Sequence, residues 1–535
     1  KKVWPGPNLS RGIQYVHRKL HRSVIEIRRS LRGRPSESCS DISNAMRIRL
    51  FILARVDGCL EVALNMARGW VEPGSTSGGE VKILRVTSRT SQSPIKWKLP
   101  PSKSHLIRAL ALFSQSHQKV TLDNVGFSGK DVWAMRSCLA QMGVKFQDYD
   151  SQGNELQHDD PVGLEPHPDS VRWVLSGVGP DGFKQPSNVL HAMNSGTALR
   201  FLAGLVARME GPVTLDGDQS LRQRESDAMW DSLRQAGIDV SIAAGKQHLP
   251  VVVQGPWKKE RLAQGIDLDI SRSSQPLSSW LLASAALPCE VQLNLIGKGV
   301  SNRHSKLTAK MVEVTGSKNQ LQPTQCSLFP WTPHSEEIYT VPGDASMASF
   351  AMLATHCLDA EIQLIGWPQE SQAIGHEILL KSSIECGVKW DSGILKSIES
   401  SQPVVLNVID SNDILPPLAA LLCFGSGGRI IGAPHAAHKE SNRLSRTVEL
   451  LQFFGLQASL LDDGIEVKGN QTPTAPTQPV PTFDDHRLFM TALLLAAKTG
   501  GEVVGQTLHQ VADETFLERL QQAGIGIETA TVSIS

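Results

Sequence analysis

The chain has 535 residues, is 40% hydrophobic and carries no formal net charge, a composition typical of a protein with two to four globular domains. Its eight cysteines show no C-x-x-C pair and no regular spacing, which argues against a disulfide framework and a structural zinc site and favours a reducing compartment. No apolar run approaches the roughly 18 residues that a membrane-spanning helix needs.

Residues 1–80 form a basic extension that differs from the rest of the chain, because Lys and Arg outnumber Asp and Glu there. We expect either a poorly ordered extension without a catalytic role or a segment that targets the protein to an organelle. A nucleic-acid-binding arm is a third, less favoured interpretation. Without organellar targeting, we expect a cytoplasmic protein. Residues 74–79, GSTSGG, predict a linker before the body of the protein.

The body begins with a predicted strand at residues 82–88 and then repeats one pattern six times. In each copy an apolar helix is followed by a short strand, and a second, more polar helix then ends in Gly before another strand. The apolar helices are predicted to open at Lys103, Asn194, Ser273, Asp344, Asp413 and Asp484. The polar helices are predicted to end at Gly143, Gly237, Gly316, Gly387, Gly455 and Gly524.

The repeat predicts an α/β fold of two similar domains, each built from three repeated α/β units. Residues 103–340 hold three copies and are predicted to form domain II, whereas residues 81–102 and 341–535 form a discontinuous domain I. Helices that are apolar on every side are buried, so their N-termini should point at the cleft between the domains. Helix N-termini attract anions, and the cleft is therefore predicted to bind phosphate or carboxylate groups.

The helix starts within residues 103–340 carry candidate anion-binding groups. Lys103, Ser104 and Arg108 lie at the start of an apolar helix, where a bound anion is a favourable partner. Gly196 would let a ligand approach the backbone closely, and Arg224 offers the forked geometry that suits phosphate and carboxylate. Hydroxyl and amide groups at a third start come from Ser273, Ser274 and Gln275.

The later helix starts add carboxylates beside cations. Taken alone, Asp413 is explained as the N-cap of a helix. At the sixth start, His486 and Arg487 would be costly to bury without partners, and an ion pair with Asp484 or Asp485 would explain part of that motif. The candidates in this part of the chain are Asp413, Lys439, Glu440, Arg443 and Arg487.

In this order, seven motifs resemble those of the EPSP synthase (3-phosphoshikimate 1-carboxyvinyltransferase) family over about residues 95–520. They are SKS-x-x-x-R, N-[SA]-G-T-A-x-R, G-D-x-S-L-x-x-R, S-S-Q, G-D-A-S, K-E-S-x-R and D-H-R. The resemblance implies an enolpyruvyl transferase-like fold with the active site in the interdomain cleft. It implies transfer of the enolpyruvyl group of phosphoenolpyruvate to the 5-hydroxyl of shikimate 3-phosphate, with release of phosphate, in the shikimate pathway to chorismate and the aromatic amino acids.

The resemblance also implies a role for each candidate. Asp413, Glu440 and Lys103 would be catalytic, with Asp413 accepting the 5-hydroxyl proton and Glu440 transferring a proton at the methylene carbon. Shikimate 3-phosphate would be bound by Lys103, Ser104, Arg108, Ser273, Ser274, Gln275, Asp413 and Lys439. Phosphoenolpyruvate would be bound by Lys103, Gly196, Arg224, Arg443 and Arg487. The family resemblance favours a monomer without cofactor, and we expect no metal, no nucleic-acid partner and no membrane.

Some positions depart from the family pattern. Glu514 stands where the family usually has a Lys, and Glu225 replaces the usual Pro after Arg224. A carboxylate beside bound phosphoenolpyruvate would weaken its binding by like-charge repulsion. One alternative is therefore a divergent relative that binds anionic metabolites without normal catalysis. A UDP-sugar enolpyruvyl transferase is another, although residues 216–226 lack the reactive Cys typical of that family.

Overall fold

The computed structural model describes residues 79–87, 94–158, 164–242, 247–334 and 337–534. Residues 1–78, which hold nearly all of the predicted basic extension and linker, lie outside the described residues. Residues 80–534 form one compact unit. Among the described helices, none is long and apolar enough to cross a membrane.

Apolar and polar helices alternate along the described chain, as the repeat predicts. The helices are α1 (Lys103–Phe113), α2 (Lys130–Gln141), α3 (Gly196–Val206), α4 (Asp227–Gln235), α5 (Lys259–Leu262), α6 (Gln275–Ala283), α7 (Asn302–Val314), α8 (Ala348–Cys357), α9 (Ile378–Lys381), α10 (Leu415–Phe424), α11 (Arg443–Phe453), α12 (His486–Thr499) and α13 (Phe516–Gln522).

Short strands separate the helices. Those before residue 260 are β1 (Gly79–Thr87), β2 (Ile95–Lys98), β3 (Lys119–Asp123), β4 (Lys145–Tyr149), β5 (Glu155–Leu156), β6 (Arg172–Ser176), β7 (Leu190–His191), β8 (Val213–Asp216), β9 (Asp239–Ile242) and β10 (Val251–Gln254). The later strands are β11 (Ile266–Asp269), β12 (Val291–Ile296), β13 (Gln320–Leu321), β14 (Gln325–Leu328), β15 (Ile338–Thr340), β16 (Ile362–Ile365), β17 (Val388–Asp391), β18 (Ile394–Ser397), β19 (Val404–Asn407), β20 (Gly427–Ile431), β21 (Ala458–Leu461), β22 (Gly464–Lys468), β23 (Gly501–Val504) and β24 (Gly526–Ile534).

Within the described residues the strands form six sheets. Their strand orders are β23-β1-β24, β7-β8-β10-β9, β11-β12-β14-β13, β15-β3-β6-β4-β5, β17-β18-β16-β2 and β19-β20-β22-β21. Helix α3 joins the parallel strands β7 and β8, α6 joins β11 and β12, and α10 joins β19 and β20. Antiparallel strands complete each of these sheets, and the predicted α/β class with repeated units is confirmed.

Two sheets exchange their first strands. Strand β2 precedes α1 but pairs in parallel with β16, and β15 precedes α8 but pairs in parallel with β3. The two connections, residues 99–102 and 341–344, lie side by side. The Ser102 N–H donates to the Pro342 carbonyl at 2.8 Å, and the Asp344 N–H donates to the Pro100 carbonyl at 2.8 Å. The helix starts at Lys103 and Asp344 are therefore neighbours.

The apolar helices pack into two separate hydrophobic cores. One core draws on residues 106–341, and the other draws on residues 84–99 and 347–525. The boundaries of the two domains stay a prediction.

Capping explains where most helices begin and end. Helix α3 starts two residues after the predicted Asn194, because the Ser195 hydroxyl accepts the Ala198 N–H at 3.2 Å. Asp485 caps α12 by accepting the Arg487 N–H at 2.9 Å. All six predicted terminal glycines have positive φ, as a left-handed C-terminal cap requires; they are Gly143, Gly237, Gly316, Gly387, Gly455 and Gly524.

The fourth polar helix differs from the prediction. Helix α9 ends at Lys381, well before Gly387. Isolated hydrogen bonds follow it, since the Cys386 N–H donates to the Ser382 carbonyl, four residues earlier, and the Val388 N–H donates to the Ser383 carbonyl, five residues earlier. Serine competes with helical hydrogen bonding, and two serines follow directly after Lys381.

Candidate active site

Arg443, at the start of α11, is the centre of a buried charge cluster. Its side chain is 1% exposed and contacts three carboxylates. Nη1 donates to Asp413 at 2.6 Å, Nη2 to Glu440 at 2.5 Å and Nε to Asp485 at 2.8 Å. Burial alone would lower the pKa of Arg443, but these carboxylates raise it above its usual range. Arg443 therefore fixes the positions of Asp413 and Glu440 relative to each other.

Asp413 does not cap a helix, so the interpretation of this residue as an N-cap is wrong. Asp413 lies inside a 3₁₀ turn, residues 412–414, that leads into α10. Besides Arg443, its carboxylate lies 3.8 Å from Lys439 Nζ and 3.7 Å from Arg487 Nη2. Burial would raise the pKa of Asp413, yet these cations hold it well below its usual range. The carboxylate is consequently ionised.

The sequence suggested an ion pair between Arg487 and Asp484 or Asp485, but the Arg487 side chain contacts neither carboxylate. Asp485 accepts from the Arg487 backbone N–H, and its carboxylate is paired with Arg443. The Arg487 guanidinium instead donates to the Asp413 carbonyl at 3.0 Å and to Ser346 Oγ at 3.1 Å. This guanidinium, 3% exposed, is directed towards the fourth and fifth helix starts.

Lys103, the first residue of α1, reaches towards residues of both cores. Its Nζ donates to Asp131 Oδ2 at 3.0 Å, and its backbone N–H donates to Asp344 at 3.3 Å. Burial would lower the pKa of Lys103, but the negative charges of Asp131 and Glu440 raise it. Lys103 therefore keeps its proton, close to Glu440.

Glu440 faces helix starts from the other core as well. Burial would raise its pKa, but Arg443, Arg224 and Lys103 are among the cations that hold it well below its usual range. Lys103 and Arg224 belong to residues 103–340, whereas Glu440 does not. The structure thus brings Lys103, Arg224, Asp413, Glu440 and Arg487 together.

Gly196, at the start of α3, and Arg224 both lie close to Asn194. Arg224 donates to the Asn194 carbonyl at 3.1 Å, to Asn194 Oδ1 at 2.6 Å and to Ser220 Oγ at 2.9 Å. A Cβ at Gly196 would lie 2.7 Å from Arg200 Nη1, so only Gly leaves this helix start unobstructed. The hydrogen-bond partners of Arg224 named here are neutral, so they do not cancel its positive charge, which also acts on Glu440.

The Ser273–Gln275 segment is connected to the surroundings of Arg224 through Arg200. Gln275 Oε1 accepts from Arg200 Nη1 at 2.5 Å, and the Ser273 hydroxyl accepts the Gln275 N–H at 3.2 Å. Ser274 occupies the N-cap position of α6. Burial, and then the like charge of Arg224, lowers the pKa of Arg200 to about 10. Sequence reasoning did not assign Arg200 to the site.

Arg108 braces helices in this structure. It is 1% exposed, donates to Thr308 and Ser278 at 2.7 and 3.4 Å, and lies over the Phe201 ring at 5.3 Å. It also donates to the Ser104 carbonyl at 2.8 Å. Its predicted contact with substrate stays a prediction.

A narrow cavity lies where the two cores meet. Four predicted site residues line it: Lys103, Ser104, Asp413 and Arg487. Lining residues that the sequence-based assignment missed are His304, Asp344, Ser346 and His376. Asp344 was recognised as a cap, and the G-D-A-S motif could have indicated Ser346. A single His in the segment AIGHE offered no such signal.

Glu514 does not line this cavity. The Gly129 backbone, next to the start of α2, hydrogen-bonds its carboxylate, and Lys130 and Asp513 lie close by. Burial is the main cause that raises the pKa of Glu514 to about 7. Glu514 therefore contacts the helix that carries Asp131, the partner of Lys103.

Comparison with known proteins agrees with this geometry. The sequence model of EPSP synthase (3-phosphoshikimate 1-carboxyvinyltransferase) matches residues 92–520. Curated proteins named 3-phosphoshikimate 1-carboxyvinyltransferase are similar to this chain. That of Methanosphaera stadtmanae is 26% identical over 79% of this chain and 95% of the relative. That of Korarchaeum cryptofilum is 27% identical over 82% of this chain and 98% of the relative. That of Thermococcus kodakarensis is 29% identical over 62% of this chain and 81% of the relative.

Solved structures share the fold. EPSP synthase from Acinetobacter baumannii superposes with a TM-score of 0.63 at 22% identity, covering 84% of this chain and all of that one. The enolpyruvyl transferase NikO from Streptomyces tendae gives a TM-score of 0.61 at 14% identity, covering 85% of this chain and 100% of NikO. Because the family match spans most of the sequence and includes the helix starts that gather around the cavity, the chain belongs to the EPSP synthase family.

Proposed function

We propose that this protein transfers the enolpyruvyl group of phosphoenolpyruvate to the 5-hydroxyl of shikimate 3-phosphate and releases phosphate. The observation that carries the proposal is the meeting of Asp413 and Glu440, both held by Arg443, with Lys103, Arg224 and Arg487. Binding of anions alone needs cations. Two carboxylates in the same site are useful when protons must move.

The two carboxylates divide the proton transfers. In the addition step, the 5-hydroxyl oxygen bonds to C2 of phosphoenolpyruvate and loses its proton, while the methylene carbon gains one. Asp413, ionised beside Lys439, accepts the hydroxyl proton. Elimination of phosphate, with loss of a proton from the former methylene carbon, restores the double bond.

Glu440 transfers the proton at the methylene carbon of phosphoenolpyruvate. In this structure Glu440 is ionised, whereas Lys103 is protonated. A bound phosphoenolpyruvate anion raises the pKa of a neighbouring carboxylate, so Glu440 can take up a proton and deliver it to carbon. The same carboxylate then receives a proton in the elimination step.

The anionic groups of the substrates are held by the helix starts. Phosphoenolpyruvate lies among Lys103, Gly196, Arg224 and Arg487, where fixed positive charge also stabilises the transition state. Shikimate 3-phosphate lies along Ser104, Asp413 and Lys439, with Arg108 and the segment Ser273–Gln275 behind it. Arg443, predicted as a ligand of phosphoenolpyruvate, acts in this proposal by holding the two carboxylates.

The decisive experiment measures phosphate release by the purified full-length chain with both substrates. We expect release that requires both phosphoenolpyruvate and shikimate 3-phosphate, and none when a UDP-sugar replaces the latter. Binding of shikimate 3-phosphate without phosphate release would contradict the proposal and would favour a non-catalytic anion-binding relative.

The remaining features of the proposal come from the family resemblance and the composition. The protein acts as a monomer, without a cofactor or a nucleic-acid partner, in the cytoplasm or in an organelle addressed by residues 1–80. Size-exclusion chromatography with light scattering tests the monomer. Deleting residues 1–80 should leave phosphate release intact, whereas loss of RNA binding upon deletion would reveal an added module.

A further inference from the structure

His376 is a buried histidine that the mechanism above does not use. It lies in the segment between a 3₁₀ turn, residues 370–372, and helix α9. Gly375, just before it, has φ +91°, and a Cβ there would lie 2.9 Å from Asp410 Cβ. Glu377, just after it, contacts Arg303 Nη2 at 3.1 Å. The backbone around His376 is therefore held in place on both sides.

Its hydrogen bonding determines which ring nitrogen carries the proton. Nδ1 lies 2.8 Å from the Ala373 carbonyl, and a carbonyl can only accept. Nδ1 is therefore the protonated nitrogen, and Nε2 presents a lone pair. Nε2 is buried and has no hydrogen-bond partner among the described residues, although such groups are normally paired.

This lone pair belongs to a residue that lines the cavity of the active site. His376 is 4% exposed and lines the cavity together with Ser104, Asp413 and Arg487. The charged and titratable groups around it are Asp344, Asp413, Arg487 and His304. Burial lowers the pKa of His376, so the ring is neutral at physiological pH.

A neutral acceptor beside a carboxylate does not suit an anionic ligand group, but it suits a hydroxyl. We propose that His376 Nε2 accepts a hydrogen bond from a ring hydroxyl of the bound shikimate 3-phosphate, next to Asp413. The inference rests on the proposed function, because it takes the acceptor substrate from there. His376 thus selects for a hydroxylated ring, a role distinct from holding phosphate.

The test compares His376→Leu, which removes the acceptor, with His376→Gln, which places an amide oxygen near the position of Nε2. Titration calorimetry measures shikimate 3-phosphate binding to the full chain, and steady-state kinetics measures the KM of phosphoenolpyruvate. We expect His376→Leu to bind shikimate 3-phosphate about 10- to 100-fold more weakly, because a buried hydroxyl loses its partner. The KM for phosphoenolpyruvate should stay within about 2-fold, and His376→Gln should recover most of the affinity.

His509→Leu is the matched control, because His509 is also 4% exposed but does not line the cavity. It should bind shikimate 3-phosphate like the wild type. The inference is overturned if His376→Leu binds as tightly as the wild type, or if the Gln and Leu variants lose affinity equally. Should the Leu variant lack a cooperative melting transition, His376→Asn replaces it, since its shorter amide cannot reach the position of Nε2.

Two further measurements separate related outcomes. The 4-deoxy and 5-deoxy analogues of shikimate 3-phosphate identify the hydroxyl, since one of them should bind the wild type and His376→Leu equally. If the affinity difference between wild type and His376→Leu disappears as pH rises from 6 to 8.5, the ring acts as a protonated donor and the inference fails.

A wild-type chain that binds no shikimate 3-phosphate refutes the proposed function, and with it this inference. A wild type that binds it while His376→Leu is unaffected refutes the inference alone.

Discussion

The guanidinium groups of Arg200 and Arg224, in residues 103–340, and that of Arg443, in residues 341–534, are held by opposite kinds of partner. In the first group, Arg224 and Arg200 are held by amides, hydroxyls and carbonyls, which are neutral. In the second group, Arg443 alone contacts three carboxylates. Neutral partners orient a guanidinium without cancelling its charge, so the first group is suited to bind anions. The second group balances its charge and is suited to hold carboxylates for proton transfer.

The largest expected effect comes from removing a carboxylate of the balanced group, which is Arg443 with Asp413, Glu440 and Asp485. We expect Asp413→Asn to lower kcat about 10²–10⁴-fold, the usual contribution of a positioned acid–base group. Phosphate release under saturating substrates measures it. Asp359→Asn, at a surface ion pair with Lys498, should leave kcat unchanged. A kcat for Asp413→Asn within a few-fold of the wild type would remove the proton-transfer role from this group.

A smaller effect is expected from the group with neutral partners. We expect Arg224→Met to raise the KM for phosphoenolpyruvate about 10- to 100-fold, since a hydrogen bond to a charged group contributes about 1.5–3 kcal/mol. Initial rates at varied phosphoenolpyruvate measure it. Arg222→Met is the matched control two residues away, because Arg222 is already paired with Asp216. Equal effects of the two substitutions would contradict the idea that uncompensated charge binds the anion.

Glu514 is a partly buried carboxyl group that contacts neither the guanidinium groups with neutral partners nor Arg443. Its pKa is raised to about 7, chiefly by burial, so the folded chain binds a proton that the unfolded chain releases near pH 4.5. Stability from this group is fully present below about pH 4.5 and is lost as pH rises through about 7. We expect Glu514→Gln to be more stable than the wild type at pH 8, by about 1 kcal/mol after allowance for solvent screening, and not at pH 4.5.

Urea denaturation at the two pH values measures this difference. Glu518→Gln, on the exposed face of α13, should show no such pH dependence. A Glu514→Gln variant that is destabilised at pH 8 would mean that the ionised carboxylate is favourable at the start of α2. Glu514 would then be a normal member of the balanced group.

Much of the fold could be predicted from the chain because helix caps are local. The five glycines that end a polar helix and the starts at Lys103 and Asp344 follow from residues within one turn. Family resemblance then indicated which starts carry function. The exchange of β2 and β15 between sheets depends on pairing between distant segments, and no local pattern indicates it.

The partners of charged residues were harder to predict than their positions. Asp485 lies two residues before Arg487 in sequence but pairs with Arg443, because the cap geometry turns its carboxylate towards α11. His376 was missed for a related reason, since its tautomer depends on a carbonyl that only the folded loop brings near. Charge pairing in a buried site is decided by three-dimensional geometry.

The adjacent connections at residues 99–102 and 341–344 carry the described chain between its two cores, so a rotation of one core against the other would have its fulcrum there. Lys103 follows the first connection, and Asp344 ends the second and accepts the Lys103 N–H, so such a rotation would displace these two residues least. Groups farther from the fulcrum, such as Arg224 and Glu440, travel farther for the same rotation. Lys103 would thus stay with a bound substrate during such a rotation, while the parts that complete the chemistry assemble around it.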